Sequence, residues 1–135
     1  AIIYIQVGGF LGYFMLPVKG PIDYIRDQFS IPLNSSNEMV YQAVNSFRFA
    51  YDCFPSLHTA LPWAVLFVTW SWHTPFMRLI MLFMACSITL STMYLRYHYG
   101  ADVLAGFLWA CLVGFIVKSR SLYLPYGTIK AGLSK

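Results

Sequence analysis

Ser91-Thr92-Met93-Tyr94-Leu95-Arg96-Tyr97-His98-Tyr99-Gly100-Ala101-Asp102 separates two long apolar runs. A guanidinium, an imidazole and a carboxylate are costly between such runs, and charged groups placed there usually serve a function. Read as helix, His98 and Asp102 stand four residues apart and share a face. They make a base and the carboxylate that fixes its tautomer, or else a polar pair that satisfies itself at a helix end. The Tyr97-His98-Tyr99-Gly100 break splits the flanking runs into two helices, one over 76–95 and one from the break to about Val117.

Working outward, the composition sets the environment. Of 135 residues, 59% are hydrophobic, 19% aromatic and only 10% charged, with a mean hydropathy of +0.60. Soluble domains carry about 25% charged residues. The chain therefore reads as a single all-α domain, a polytopic membrane helical bundle with about four transmembrane helices. Residues 1–17 form the first apolar segment, with Gly8, Gly9 and Gly12 suited to close helix packing. The second runs from Phe54 to about Trp72, and Ser71-Trp72-His73-Thr74-Pro75 is a tight connection. Because the chain opens inside an apolar run, upstream helices are expected.

Between the first two spans, residues 18–54 form a polar loop. Ser35 and Glu38 have capping-box spacing, and Val40, Val44 and Phe47 follow at helical intervals, so 37–50 is expected to be an amphipathic helix lying at the membrane surface, with a buried core helix as the alternative. The tail 118–135 is basic and polar. No basic cluster interleaved with aromatics points to nucleic acid. The three cysteines have no metal-type spacing: Cys86 and Cys111 read as packing residues, and Cys53 has no evident partner.

At about 1.5 Å per residue, the helix after His58 spans roughly 22 Å and the one before Arg96 roughly 30 Å. One crosses and the other returns, so His58 and His98 end near the same face. Arg78, Lys118, Arg120, Lys130 and Lys135 lie on the opposite face with no acid among them. The positive-inside rule makes that face cytoplasmic and puts the histidines on the extracytoplasmic or lumenal side.

Four groups converge there. Pro55-Ser56-Leu57-His58 opens a helix, with Pro suited to its first position. First-turn N–H groups at the positive end of the dipole, plus the Ser56 hydroxyl, make an anion pocket beside His58; a plain helix cap with an interfacial histidine is the alternative. Lys19 and Arg26 either clamp a phosphate or simply flank a membrane helix. Arg96 either serves the site or snorkels to the interface. His98 and Asp102 complete the set. His73, in the connection at the far face, is assigned no role.

These residues resemble the signature blocks of the type 2 phosphatidic acid phosphatase / vanadium haloperoxidase superfamily: Lys-x6-Arg-Pro, Pro-Ser-x-His and Ser-Arg-x5-His-x3-Asp. Pro55-Ser56-Leu57-His58 matches the second block in full. Ser91, His98 and Asp102 match the third, with Thr92 where the family has Arg. Lys19 and Arg26 match the first, with Asp27 in place of Pro. Phe54 to His58, Tyr94 to Tyr99, Asp102-Val103-Leu104-Ala105-Gly106 and the Leu16 to Pro21 turn look most like the branch containing inositol phosphorylceramide synthases.

The resemblance implies the last four helices of a six-helix core and a metal-free, cofactor-free phosphotransfer on a lipid phosphate or diphosphate. His98 would attack phosphorus to form a phosphohistidine, Asp102 would orient it, and His58 would protonate the leaving alcohol. Lys19, Arg26, Ser56, the Leu57 backbone N–H and Arg96 would hold the phosphate oxygens, with Arg96 supplying the charge that Thr92 lacks. Water, or an acceptor hydroxyl in an inositolphosphotransferase, would release the phosphoryl group. Three other classes stand beside this one: a vanadate-dependent haloperoxidase, a metal site formed by His58, His98 and Asp102, and a non-catalytic scaffold or transporter subunit. Oligomeric state is left open by the sequence.

Overall fold

The computed structural model describes residues 1–24, 46 and 51–123. Among these residues helix dominates and no strand occurs. We number the helices α1 (Ile2–Met15), α2 (Pro21–Tyr24), α3 (Leu57–Thr69), α4 (Pro75–Tyr94) and α5 (Gly100–Tyr123), with a 3₁₀ turn at Trp70–Trp72 after α3.

Each boundary has a local cause. Thr74 caps α4, its side chain accepting from the Met77 N–H, with Pro75 in the first turn, where a missing N–H costs nothing. Ser56 caps α3 by accepting from the Thr59 N–H. The C-terminus of α4 is a Schellman motif: the Tyr97 N–H reaches the Thr92 carbonyl and the Arg96 N–H reaches that of Met93, both at 3.0 Å. The motif needs a left-handed residue just past the helix, usually glycine. Here Arg96 takes that conformation, with φ of 61°.

The core forms where α1 and α5 pack on α3, around Ile5, Ala60, Ala64, Ala110 and Val113. Small residues let the backbones approach. A Cβ on Gly106 of α5 would lie 2.3 Å from the Ser56 carbonyl oxygen, and one on Gly9 of α1 would lie 2.2 Å from Leu57 Cδ2. Close packing through the α1 glycines, expected from sequence, is therefore present. Trp63 of α3 meets Phe107 of α5 edge to face, with centroids 4.9 Å apart, and its indole N–H donates to Thr89 Oγ1 of α4 at 3.1 Å.

Several expectations shift. Two helices among the described residues are long and apolar enough to cross a membrane, Pro75–Tyr94 and Gly100–Ser119. The expected first and second spans are shorter, 14 residues for α1 and 13 for α3. Pro17 and Pro55 lie just beyond their ends, and the Ser56 cap starts α3 three residues later than Phe54. The last helix continues past Val117 to Tyr123, because Lys118, Ser119 and Arg120 bring no helix breaker. Cys111 is exposed rather than packed. The amphipathic helix expected over 37–50 lies outside the described residues, apart from helical Ser46, as does the tail from 124.

Candidate active site

The connections at one end of the helix pack bring the signature segments together. The Val18 carbonyl accepts from the Cys53 N–H at 3.4 Å, and the Ile22 N–H donates to the Arg96 carbonyl at 3.0 Å. The segment carrying Lys19 is thus tied on one side to the approach to α3 and on the other to the turn after α4. A third tie joins the starts of α3 and α5: the Ser56 N–H donates to the Asp102 carbonyl at 3.0 Å.

His98 is not on a helix. It lies in the turn before α5, so its nearness to Asp102 does not come from helical spacing, and this corrects the sequence argument. The two side chains approach to 4.0 Å, Nδ1 to Oδ2, beyond hydrogen-bond range. The His98 Nδ1 partner at 2.9 Å is instead the main-chain carbonyl of Cys53. A carbonyl only accepts, so Nδ1 carries a proton, and in the neutral ring Nε2 presents its lone pair. That lone pair faces His58 Nδ1 at 3.1 Å, and with His98 neutral it is His58 that donates, through Nδ1.

Asp102 occupies the third helical position of α5. Its Oδ2 accepts from the Tyr99 N–H at 2.7 Å, the reach-back half of a capping box, where a negative charge also meets the positive end of the helix dipole. The same oxygen accepts from the Cys53 thiol at 2.8 Å. Cys53 Sγ also lies 3.6 Å from His98 Nδ1. Cys53, with no partner evident from sequence, stands between the carboxylate and the imidazole. The only hint in the sequence was its position two residues before the Pro-Ser-x-His block. Burial, and then the hydrogen bond to Asp102, push its thiol up to about 12.

The remaining assigned residues are placed differently. Ser56 is fully buried; its hydroxyl accepts from the Thr59 N–H and donates to Thr59 Oγ1 at 3.2 Å. The Leu57 main chain lies beside the Tyr13 hydroxyl. Lys19 is exposed, with Nζ 5.3 Å from the centre of the Tyr51 ring. Arg96 is half-buried at its left-handed position. Thr92 is buried and turns its hydroxyl to the Thr89 carbonyl at 2.8 Å, so it offers nothing to an anion. Arg26 lies outside the described residues. His73, at the other end, bonds Thr69 Oγ1 at 3.0 Å and stays a turn residue.

Cys53, His98 and Asp102 bring a sulfur, a nitrogen and an oxygen within 4.8 Å of one another, a grouping that can ligate a soft divalent ion. Ligation would need the thiolate, and the donors already satisfy one another in the protonated state. His58 opens instead on a cavity of about 880 Å³ lined by Phe10, Tyr13 and Phe14 of α1, Leu57 and Leu61 of α3, Ile88 of α4, and Asp52.

A family model described as the PAP2 superfamily matches residues 1–116. The chain belongs to the PAP2 superfamily. Membership supports phosphatase-type chemistry and an enzymatic role. Neither the comparison with curated proteins nor that with solved structures gave a match.

Proposed function

We propose that this PAP2 protein is an integral membrane phosphatase or phosphotransferase acting on lipid phosphates through a phosphohistidine at His98. The observation that carries the reading is the 3.1 Å approach of His58 Nδ1 to His98 Nε2, with His98 held at Nδ1 by a carbonyl. A neutral imidazole whose Nε2 lone pair is freed when substrate displaces His58 is a nucleophile oriented for in-line attack. A proton donor directly opposite that lone pair marks where the reacting phosphoryl group and its leaving oxygen meet the enzyme.

In the proposed cycle, phosphate displaces the His58 hydrogen bond. His98 Nε2 bonds to phosphorus as the P–O bond to the leaving alcohol breaks, and His58, acting as the imidazolium, gives that alcohol a proton and is left neutral. Water, deprotonated by His58, then cleaves the P–N bond and restores His98. Asp102, 4.0 Å from Nδ1, stabilises the positive charge that the imidazole gains. Lys19, Arg26, Arg96, Ser56 and the Leu57 N–H are proposed to hold the phosphate oxygens, and preorganised cationic donors supply the larger share of such catalysis. The Ser56 hydroxyl must then exchange its present partner, Thr59, for substrate. The cycle uses neither metal nor cofactor.

The apolar cavity beside His58 is far larger than a phosphate and fits a substrate with a hydrocarbon portion. The exposed apolar faces of α1, α4 and α5, with Ile3, Phe14, Phe83 and Phe115 each more than 70% exposed, fit a bilayer setting. We propose that all four long helices lie in the membrane, with the amphipathic 37–50 segment at its surface and the histidines on the extracytoplasmic or lumenal side. The resemblance to inositol phosphorylceramide synthases favours a second acceptor, an inositol-type hydroxyl in place of water.

The test is phosphate release from phosphatidate, phosphatidylglycerol phosphate, isoprenyl diphosphate and ceramide-linked substrates, with chelator present and with or without an inositol lipid acceptor. Release from at least one substrate that persists in chelator supports the reading. No release from any, or release abolished by chelator, overturns it.

A further inference from the structure

We propose that Cys53 is a positioning residue for His98, its thiol and its carbonyl together coupling the Asp102 carboxylate to the reactive imidazole. The inference deepens the reading of His98 as the nucleophile, and rests on it. A direct carboxylate–imidazole hydrogen bond is absent, since Nδ1 and Oδ2 stand 4.0 Å apart. Both groups instead engage the same residue. The Cys53 carbonyl accepts the Nδ1 proton at 2.9 Å, and the Cys53 thiol donates to Asp102 Oδ2 at 2.8 Å.

The arrangement is anchored on every side. The Cys53 N–H donates to the Val18 carbonyl at 3.4 Å, its sulfur also contacts the Tyr97 carbonyl at 3.4 Å, and its side chain is 1% exposed. Asp102 is fixed in turn by the Tyr99 N–H. Anchoring the side chain on α5 therefore fixes where the residue's own carbonyl points, and that carbonyl sets the tautomer and plane of the nucleophile. Burial keeps the thiol protonated, so it acts as a donor and not as a rival nucleophile. A residue that merely filled space would need no donor; an anchor does.

The full chain in detergent micelles, with phosphatidate as the kinetic probe, separates these roles. Cys53→Ser keeps a donor, and Cys53→Val keeps the bulk and removes the donor. Cys53→Ser is expected to hold kcat within about threefold of wild type. Cys53→Val is expected to lose about 10²-fold in kcat with little change in KM, as when a reacting group is slightly misplaced. Nitrogen-15 spectra of His98 give a readout independent of turnover: a single Nδ1–H tautomer in wild type and Cys53→Ser, and mixed tautomers in Cys53→Val. A Cys53→Val protein with wild-type kcat or one fixed tautomer overturns the proposal, as does a Cys53→Ser protein as impaired as Cys53→Val. If wild type turned over no lipid phosphate, the phosphotransfer reading would fall, while the tautomer comparison would still decide the role of Cys53.

Discussion

The two histidines of the site touch each other, yet their surroundings are opposite. His98 is 5% exposed and is held by the Cys53 carbonyl, near the thiol and the Asp102 carboxylate. His58 is exposed on the first turn of α3, faces an apolar cavity and has the His98 ring as its ordered partner. A group that forms a covalent bond gains from being fixed, because attack needs one orientation. A group that passes protons to a departing alcohol and then takes one from water gains from reaching solvent and substrate. The asymmetry in packing thus fits the roles proposed for the two rings, His98 as nucleophile and His58 as proton donor.

Mutation can break this contrast directly. His98→Ala should lower kcat by a factor on the order of 10⁴ or more, since a covalent route is lost outright, and phosphate release measures it. His58→Ala should cost about 10²–10⁴ with alkyl phosphates and much less with a nitrophenyl phosphate, whose leaving group needs no proton. Equal losses on both substrates would mean that His58 is not the acid.

A smaller effect probes what holds the two halves together. Gly106→Ala pushes a Cβ against the Ser56 carbonyl oxygen, which is backbone and cannot swing aside. It should destabilise by about 1–3 kcal/mol, visible as a lower thermal midpoint, and should loosen the Ser56–Asp102 tie. Arg96→Gly should act on stability in the opposite direction. Its left-handed φ favours glycine, so the variant should gain about 1 kcal/mol while losing about 10²-fold in kcat/KM if the guanidinium binds phosphate. A stabilised variant of unchanged activity would remove Arg96 from the site.

Much of this was legible in the sequence, and unevenly. The apolar runs, the break at 97–100 and the Pro55 to His58 helix start predicted the helix order, because hydropathy and caps are local signals. The meeting of His58 with His98 followed from one helix going out and the next returning. The closeness of His98 to Asp102 was anticipated for the wrong reason: a Schellman turn and a capping box create it, not a shared helix face. Cys53 could not be read, since its importance lies in a carbonyl direction and a thiol contact that arise only when residues 49 positions apart in sequence pack together. Helix lengths were overestimated for the first two spans because hydropathy does not register where a cap or a proline stops the hydrogen-bond ladder. Of the cationic set, Lys19 and Arg96 are brought to the same end of the helix pack, and Arg26 falls outside the described residues.

The central claim is a phosphohistidine at His98. Rapid acid-free denaturation after brief exposure to phosphorus-32-labelled phosphatidate, followed by peptide mapping, tests it most directly. The account predicts an acid-labile, base-stable label on the peptide containing His98 in wild type, retained in His58→Ala with a nitrophenyl phosphate donor and absent in His98→Ala. Label that persists in His98→Ala, or active wild-type enzyme that never acquires label, would contradict it.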